Sequence, residues 1–275
     1  MVSNKKVLGL GDQVVDEYVN LNVMYPGGNA MNFAAFAKKL GYDSAFMGVF
    51  GDDKQAQHVK DSIDKLGIDR SHSRTEHGEN GCAKVNIVNG DRVFVGSNEG
   101  GVAGEKPLQL DDDDIAYLKT FSLIHMGIWG HCDHLLPRIS ELGIPISYDF
   151  SDEFTNDTLQ GAIGYVQYGF FSVDMPDNQV QVLLKHIFSP SNKVLMATRG
   201  SRSTIVYDGK DFREVAPHVV KAVDTMAAGD SFLTAFLLSR EIEGKGMKES
   251  MEDGQRFAAQ AVQLDGSFGF GTQIE

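Results

Sequence analysis

Short runs of apolar, often β-branched residues recur along this chain, and between several of them the apolar positions repeat at intervals of three and four. The runs predict strands at Lys6–Leu10, Ser44–Val49, Ser122–Met126, Pro145–Tyr148, Val166–Ser172 and Lys193–Ala197. The helical spacing predicts helices at about Asn29–Leu40, Asp53–Leu66, Pro137–Leu142 and Asp177–Phe188, and two long ones, about Ala228–Ile242 and Lys248–Leu264, close the chain. Strands alternating with helices imply an α/β fold with a mostly parallel sheet covered on both faces. Two places break the alternation. Cys82–Gly96, CAKVNIVNGDRVFVG, reads as two strands around Asn89-Gly90, a strong two-residue hairpin signal, and is expected to stand off the main body as a flap. Ser203–Tyr207 and Phe212–Val215 form a second hairpin around Asp208-Gly209. There is no internal repeat, linker or low-complexity segment, so residues 1–275 are expected to fold as one domain, with residues 82–100 as an insertion within it.

Composition narrows the function classes. With 42% hydrophobic residues in 275, the chain can bury a large core. A formal charge of −13 and a pI near 5.0 argue against nucleic acid or an anionic membrane as a bulk partner, while leaving room for a small anion held locally. Cys82 and Cys132 are too few and too far apart for a disulfide framework, which suggests a reducing compartment. The first residues, MVSNKKVLGLGD, lack the apolar run of a signal peptide, and no stretch approaches the roughly 18 apolar residues of a membrane span. The expectation is a cytoplasmic globular protein.

Four stretches carry candidate chemistry. Asp224–Asp230, DTMAAGD, runs into the apolar helical pattern of Phe232, Phe236 and Leu237, so Ala228-Gly229-Asp230 falls in a first helical turn. Free N–H groups and the positive end of the helix dipole make such a turn an anion site, and the small residues Ala227, Ala228 and Gly229 let a phosphate come close. Asp230 there is either a proton acceptor for a hydroxyl or simply an acid complementing a helix N-terminus. In Pro26–Ala35, Gly27 and Gly28 precede an Ala-rich amphipathic helix, and Asn29 and Asn32, three apart, share one face of its first turn. Their amides suit hydroxyl groups; a helix cap explains Asn29 but not Asn32. Gly9–Asp16 opens like a dinucleotide fingerprint, but Val14 stands where the third Gly is needed and no helix start follows, which excludes that reading. Asp12 then remains at the C-terminal end of the first strand, either as a hydroxyl acceptor or as a turn-forming residue. Ala197–Ser203 leads from a strand into a polar turn, which suits a nucleotide phosphate and an ordinary loop equally. His131-Cys132-Asp133-His134 gathers metal-ligand types, but no second pair lies at zinc-site spacing. Asp111–Asp114 reads as a capped, solvated helix start.

Taken together, Gly27–Asn32 and Asp224–Asp230 resemble the two signatures of the ribokinase-like, PfkB-type carbohydrate kinase family, in the family's order and about 200 positions apart, so the likeness spans essentially the whole chain. The resemblance implies a three-layer sandwich with a mostly parallel central sheet and a small β lid, the lid being the Cys82–Gly96 hairpin, which in the family often mediates dimer contacts. It implies transfer of phosphate from ATP, with Mg²⁺, to a hydroxyl of a sugar or nucleoside. Asp230 would be the base, and the amides of Ala227, Ala228 and Gly229 the anion hole. Asp12, Gly27, Gly28, Asn29 and Asn32 would hold the acceptor, Thr198, Gly200 and Asp224 the nucleotide side, and Ala258, on the last helix, would flank the base. Three departures stand out. Ala227 replaces a usual Gly, Ser203 stands where the nucleotide turn often has a second Gly, and the Asn-x-x-Glu magnesium segment is missing near Ser172–Met175, leaving Asp174 and Asp177 as the acids nearby. A narrower likeness, carried by Asp91–Phe94, Glu99-Gly100, Ile128–His131 and Asp149–Asp152, is to the fructoselysine 6-kinase branch. It implies a ketosamine acceptor phosphorylated at a primary hydroxyl, with Arg92, Trp129 and His131 lining its pocket, although Trp129 also reads as a core residue. Kinases for another sugar, a sugar acid or a nucleoside, and a non-catalytic sugar-binding relative, are the alternatives.

Overall fold

The computed structural model describes residues 5–88 and 91–274. In chain order the elements are β1 (Lys6–Gly11), β2 (Val14–Tyr18), β3 (Val23–Gly27), α1 (Asn29–Lys39), β4 (Asp43–Phe50), α2 (Lys54–Leu66), β5 (Arg74–Thr75), β6 (Cys82–Val88), β7 (Asp91–Ser97), α3 (Val102–Glu105) and α4 (Asp112–Leu118). They continue with β8 (Leu123–Gly127), α5 (Leu136–Ser140), β9 (Ile146–Asp149), α6 (Asn156–Ala162), β10 (Tyr168–Ser172), α7 (Asp177–Ile187), β11 (Val194–Arg199), β12 (Arg202–Tyr207), β13 (Phe212–Val215), α8 (Ala228–Leu237), α9 (Met247–Ala261) and β14 (Thr272–Gln273).

The larger sheet runs β13-β12-β11-β10-β9-β8-β1-β4-β5. From β5 to β11 its neighbours are parallel, and the hairpin β11-β12-β13 turns the far edge antiparallel. Side chains of alternate strand residues pass to opposite faces. Leu8, Leu10, Ile124, Met126, Ile146, Tyr148, Leu195 and Ala197 therefore pack under α4, α5, α6 and α7. Val7, Leu123, Tyr168, Phe170, Val194 and Met196 meet Phe33 and Ala37 of α1, Phe232 and Phe236 of α8 and Met251 of α9. This is the three-layer arrangement that the strand–helix alternation implies.

The second sheet, β14-β3-β2-β6-β7, is larger than the hairpin the sequence suggests. The β6–β7 hairpin does form, with its Asn89-Gly90 turn lying outside the described residues, but β6 pairs in parallel with β2, and β2 pairs antiparallel with β3. The flap is thus anchored through the segment that follows β1 rather than standing alone. Val14–Gly27 escaped the strand reading because acids and a proline, Asp16, Glu17 and Pro26, interrupt its apolar run.

Local chemistry places the helix starts. Asp53 caps α2 by accepting from the Ala56 N–H at 2.8 Å, and Gly67 closes that helix with a left-handed φ of 70°. Asp111 and Asp114 form a reciprocal capping box on α4, the helix start expected from the acidic run. Gly28 precedes α1 at φ 103°, where a Cβ would come within 2.8 Å of the Gln13 Cα; no other residue fits. At the head of α8, Ala227 adopts φ 56°, ψ 22°, so the position does require the left-handed backbone that a glycine would take without cost.

Candidate active site

The parallel strands β1, β8 and β9 end side by side, and the N-termini of α1 and α8 arrive at the same edge, the place where open α/β sheets bind ligands. Asp12 follows β1. Its Oδ2 accepts the Asn29 N–H at 2.5 Å and its Oδ1 the Ala30 N–H at 3.1 Å, so the carboxylate caps α1. Burial pushes its pKa up, while the Ala30 and Asn29 amides pull it back.

Asn29 is the hub of the site. Its Nδ2 donates to Asp149 Oδ2 at 2.8 Å and to Asp230 Oδ1 at 2.8 Å, while its Oδ1 meets His125 Nε2 at 2.8 Å. The second Asn of the pair donates from Nδ2 to the other oxygen of Asp230, at 2.6 Å. Both oxygens of Asp230 are thereby held from α1, and the pair of asparagines expected to bind hydroxyls spends its side-chain donors on carboxylates instead. Asn32 Oδ1 is buried with no hydrogen-bond partner among the described residues.

Asp149 ends β9 beside this group, and its Oδ1 takes the Ser151 N–H at 2.8 Å. Burial, and next the negative charge of Asp230, push its pKa up to about 7, against the pull of the Ser151 amide and the Asn29 side chain. Two carboxylates bridged by one amide give the site a high density of negative charge, which a proton, a metal-bound nucleotide or a polarised hydroxyl relieves.

The remaining candidates fall into two groups. Ala227 precedes α8, and Ala228, Gly229 and Asp230 begin its first turn, as the sequence suggests; Gly229 is exposed, the other three are half-buried, and the Ala228 N–H turns back to the Thr225 carbonyl at 3.2 Å. Gly27 lies against Asp16, where a Cβ would approach Oδ2 to 2.2 Å, so its role is to let β2 and β3 close up. Trp129 follows β8 in a short turn and is 51% exposed, which removes the core reading. His131, at φ 51°, points its Nε2 to the Glu99 carbonyl at 3.0 Å and so ties this turn to the segment after β7. The side chain of Arg92 lies outside the described residues.

Of the residues expected to hold the nucleotide, Thr198 lies one position before the end of β11 with its hydroxyl on the Phe171 carbonyl at 3.3 Å, and Gly200 turns the chain at φ 60° with open space around it. Ser203, in place of a second glycine, accepts from Arg199 Nη2 at 2.7 Å and donates to Glu214 at 3.1 Å. Asp224 is buried and turned inward: it accepts from the Tyr18 hydroxyl at 2.5 Å and from the amides of Met226 at 2.8 Å and Gly266 at 3.0 Å. Ala258 packs with the α8–α9 core.

No group of three or more His, Cys, Asp or Glu side chains among the described residues is placed to hold a metal ion. Asp174 pairs with Arg202 at 2.5 Å, and Asp177 pairs with the buried Arg199. His131, Asp133 and His134 point to three different partners: the Glu99 carbonyl, the Tyr148 hydroxyl and the Leu108 carbonyl. These residues do not fit a resident magnesium site. No helix among the described residues is long and apolar enough to cross a membrane.

Sequence reasoning missed His125, Ser147 and the two glycines against which the start of α1 packs. In the register of the sheet, Gly9 of β1, His125 of β8 and Ser147 of β9 sit side by side. A Cβ on Gly9 would come within 2.0 Å of the Ala30 carbonyl, and one on Gly127 within 2.7 Å of Asn29 Oδ1. Their absence lets α1 descend onto the sheet. The available signal was a buried His and a buried Ser in neighbouring strands otherwise built of apolar residues.

The chain matches the family described as pfkB family carbohydrate kinase over residues 4–140 and 171–269. A fructosamine kinase of Bacillus subtilis is 33% identical over 270 residues, covering 97% of this chain and 94% of that protein. The fructoselysine 6-kinase of Escherichia coli is 30% identical over 264 residues, covering 96% and 100%. Among solved structures, Arabidopsis thaliana ribokinase complexed with ribose and ATP superposes with a TM-score of 0.77 at 18% identity, covering 96% of this chain and 94% of that one.

Proposed function

Since the chain belongs to the pfkB family of carbohydrate kinases, we propose that it transfers the γ-phosphoryl group of ATP to the 6-hydroxyl of fructoselysine or a closely related ketosamine. The observation that carries the reading is the placement of Asp230: one carboxylate, gripped on both oxygens by Asn29 and Asn32, at the N-terminus of α8. The two relatives above, at 33% and 30% identity over nearly the full length, support the acceptor. In this reading the half-exposed Trp129 and His131, held to the Glu99 carbonyl, line the acceptor pocket from the loop after β8.

In this reading the acceptor hydroxyl donates a hydrogen bond to Asp230, which takes the proton as the oxygen attacks the γ-phosphorus. The new P–O bond forms in line with the breaking bond to the β-phosphate, and ADP leaves. The dipole of α8 and its first-turn amides, other than that of Ala228, which already donates to the Thr225 carbonyl, would stabilise charge developing on the transferring group. Asn32 Oδ1, which has no partner among the described residues, accepts from a second acceptor hydroxyl. Magnesium would enter as part of the nucleotide substrate rather than as a resident ion. The reading also includes a homodimer through the lid edge, where β7 is the outer strand and exposes Val93, Phe94 and Val95.

ADP release from ATP–Mg²⁺ with fructoselysine, fructose, ribose, a gluconate-type acid and adenosine tests the proposal. Turnover restricted to fructoselysine, reduced by about 10² to 10⁴ in Asp230→Asn, is expected. Trp129, the sole tryptophan, reports acceptor binding by its fluorescence in the same samples. Turnover on another acceptor discards the ketosamine, and binding without turnover discards the kinase.

A further inference from the structure

The base at this site is held by a chain of hydrogen bonds that begins deep in the sheet. His125 is fully buried in β8, and burial pushes its pKa down to about 3, so its ring is neutral and has one donor and one acceptor nitrogen. Its Nδ1 lies 2.7 Å from Ser147 Oγ and its Nε2 2.8 Å from Asn29 Oδ1. Phe33 covers the ring, with centroids 4.8 Å apart.

The polarity of this chain is set from its far end. Asp149 and Asp230 accept both hydrogens of the Asn29 amide, so Asn29 Oδ1 must face the histidine, and Nε2 must carry the hydrogen. Nδ1 is then bare and accepts from the Ser147 hydroxyl. Reversing the Asn29 amide would set an oxygen against two carboxylates, and removing the Nε2–H would remove what prevents it.

We propose that His125 is a positioning residue of the phosphoryl transfer: with Ser147 it locks the orientation of the Asn29 amide and, through it, holds Asp149 and Asp230 together as one unit. The inference rests on Asp230 acting as the base for its effect on rate, but the hydrogen-bond polarity does not depend on that role. It gives two glycines a reason, since Gly127 clears the space beside Asn29 Oδ1 and Gly9 lets the Ala30 backbone, and with it the start of α1, come down onto β1.

Two measurements on the full chain test it. In ¹⁵N spectra of histidine-labelled protein, one ring, identified by its loss in His125→Gln, is expected to hold the Nε2–H tautomer and stay neutral between about pH 5 and pH 8. A ring protonated on Nδ1, or one that titrates in that range, overturns the proposal. In kinetics, His125→Phe keeps a ring but no donor, and kcat is expected to fall about 10²-fold with KM for acceptor and ATP within about threefold. His125→Gln, whose amide places an N–H near the Nε2 position, is expected to recover most of that loss. Equal activity of the two variants, or a loss confined to KM, overturns the positioning role. Urea denaturation of both variants separates misfolding from mispositioning. If Asp230→Asn turns over normally the base assignment falls, and the ¹⁵N result still decides whether the relay exists.

Discussion

Asp149 offers a test that needs no substrate. Its carboxyl rises from the ordinary 3.8 to about 7, chiefly through burial and then through the charge of Asp230, with Asp12 adding in the same direction and the Ser151 amide and Asn29 side chain opposing. At about 1.4 kcal/mol per pH unit, the ionised form is roughly 4 kcal/mol less favourable in the folded chain than in the unfolded one. A carboxyl with a raised folded-state pKa binds its proton more tightly when folded. Its contribution to stability is therefore fully present below pH 3.8 and is lost as pH rises through about 7. Between about pH 4.5 and pH 8 this one group is expected to lower the unfolding free energy by about 3 kcal/mol. Because Asp230 shares the Asn29 amide, part of that figure belongs to the pair.

The perturbation is Asp149→Asn, and the assay is urea unfolding of variant and parent at both pH values. Asparagine introduces its own mismatch with the Asn29 amide, but that cost is the same at either pH and cancels in the comparison. The variant is expected to lose about 3 kcal/mol less than the parent on going from the lower pH to the higher. Identical pH dependence in the two proteins would refute the assignment of a proton to Asp149 near neutrality, and with it the view that Asp149 and Asp230 form one coupled unit.

Two further expectations follow from the backbone and from the surface. Ala227→Gly is expected to stabilise the chain by up to about 1 kcal/mol, because the left-handed φ of 56° strains alanine by about 1–2 kcal/mol and glycine returns part of that as unfolded-state entropy; a lower urea midpoint would contradict it. Phe94→Lys, placed on the exposed outer strand of the lid, is expected to shift sedimentation from dimer to monomer without changing the unfolding midpoint, and a monomeric parent would remove the proposed homodimer.

Much of the architecture was legible in the chain itself, because it rests on local periodicity. The apolar runs that became β1, β4, β8, β9, β10 and β11, and the helical spacing that became α1, α2, α7 and α8, are short-range patterns dictated by which face must leave water. The position of Asp230 in a first helical turn, the need for glycine before α1 and the hairpin at β6–β7 are equally local. The small sheet was not legible, because β2 pairs with β6 across more than sixty positions and its edge residues include acids that disguise a strand. The active-site relay was hidden for the same reason. Asn29 and Asp230 lie 201 positions apart, and Asn29 and His125 lie 96 apart. Nothing in either segment distinguishes an asparagine that binds a hydroxyl from one that grips a carboxylate, or a histidine filling a core from one that orients an amide. Sheet order and register decide it, by setting Gly9, His125 and Ser147 abreast beneath the end of α1.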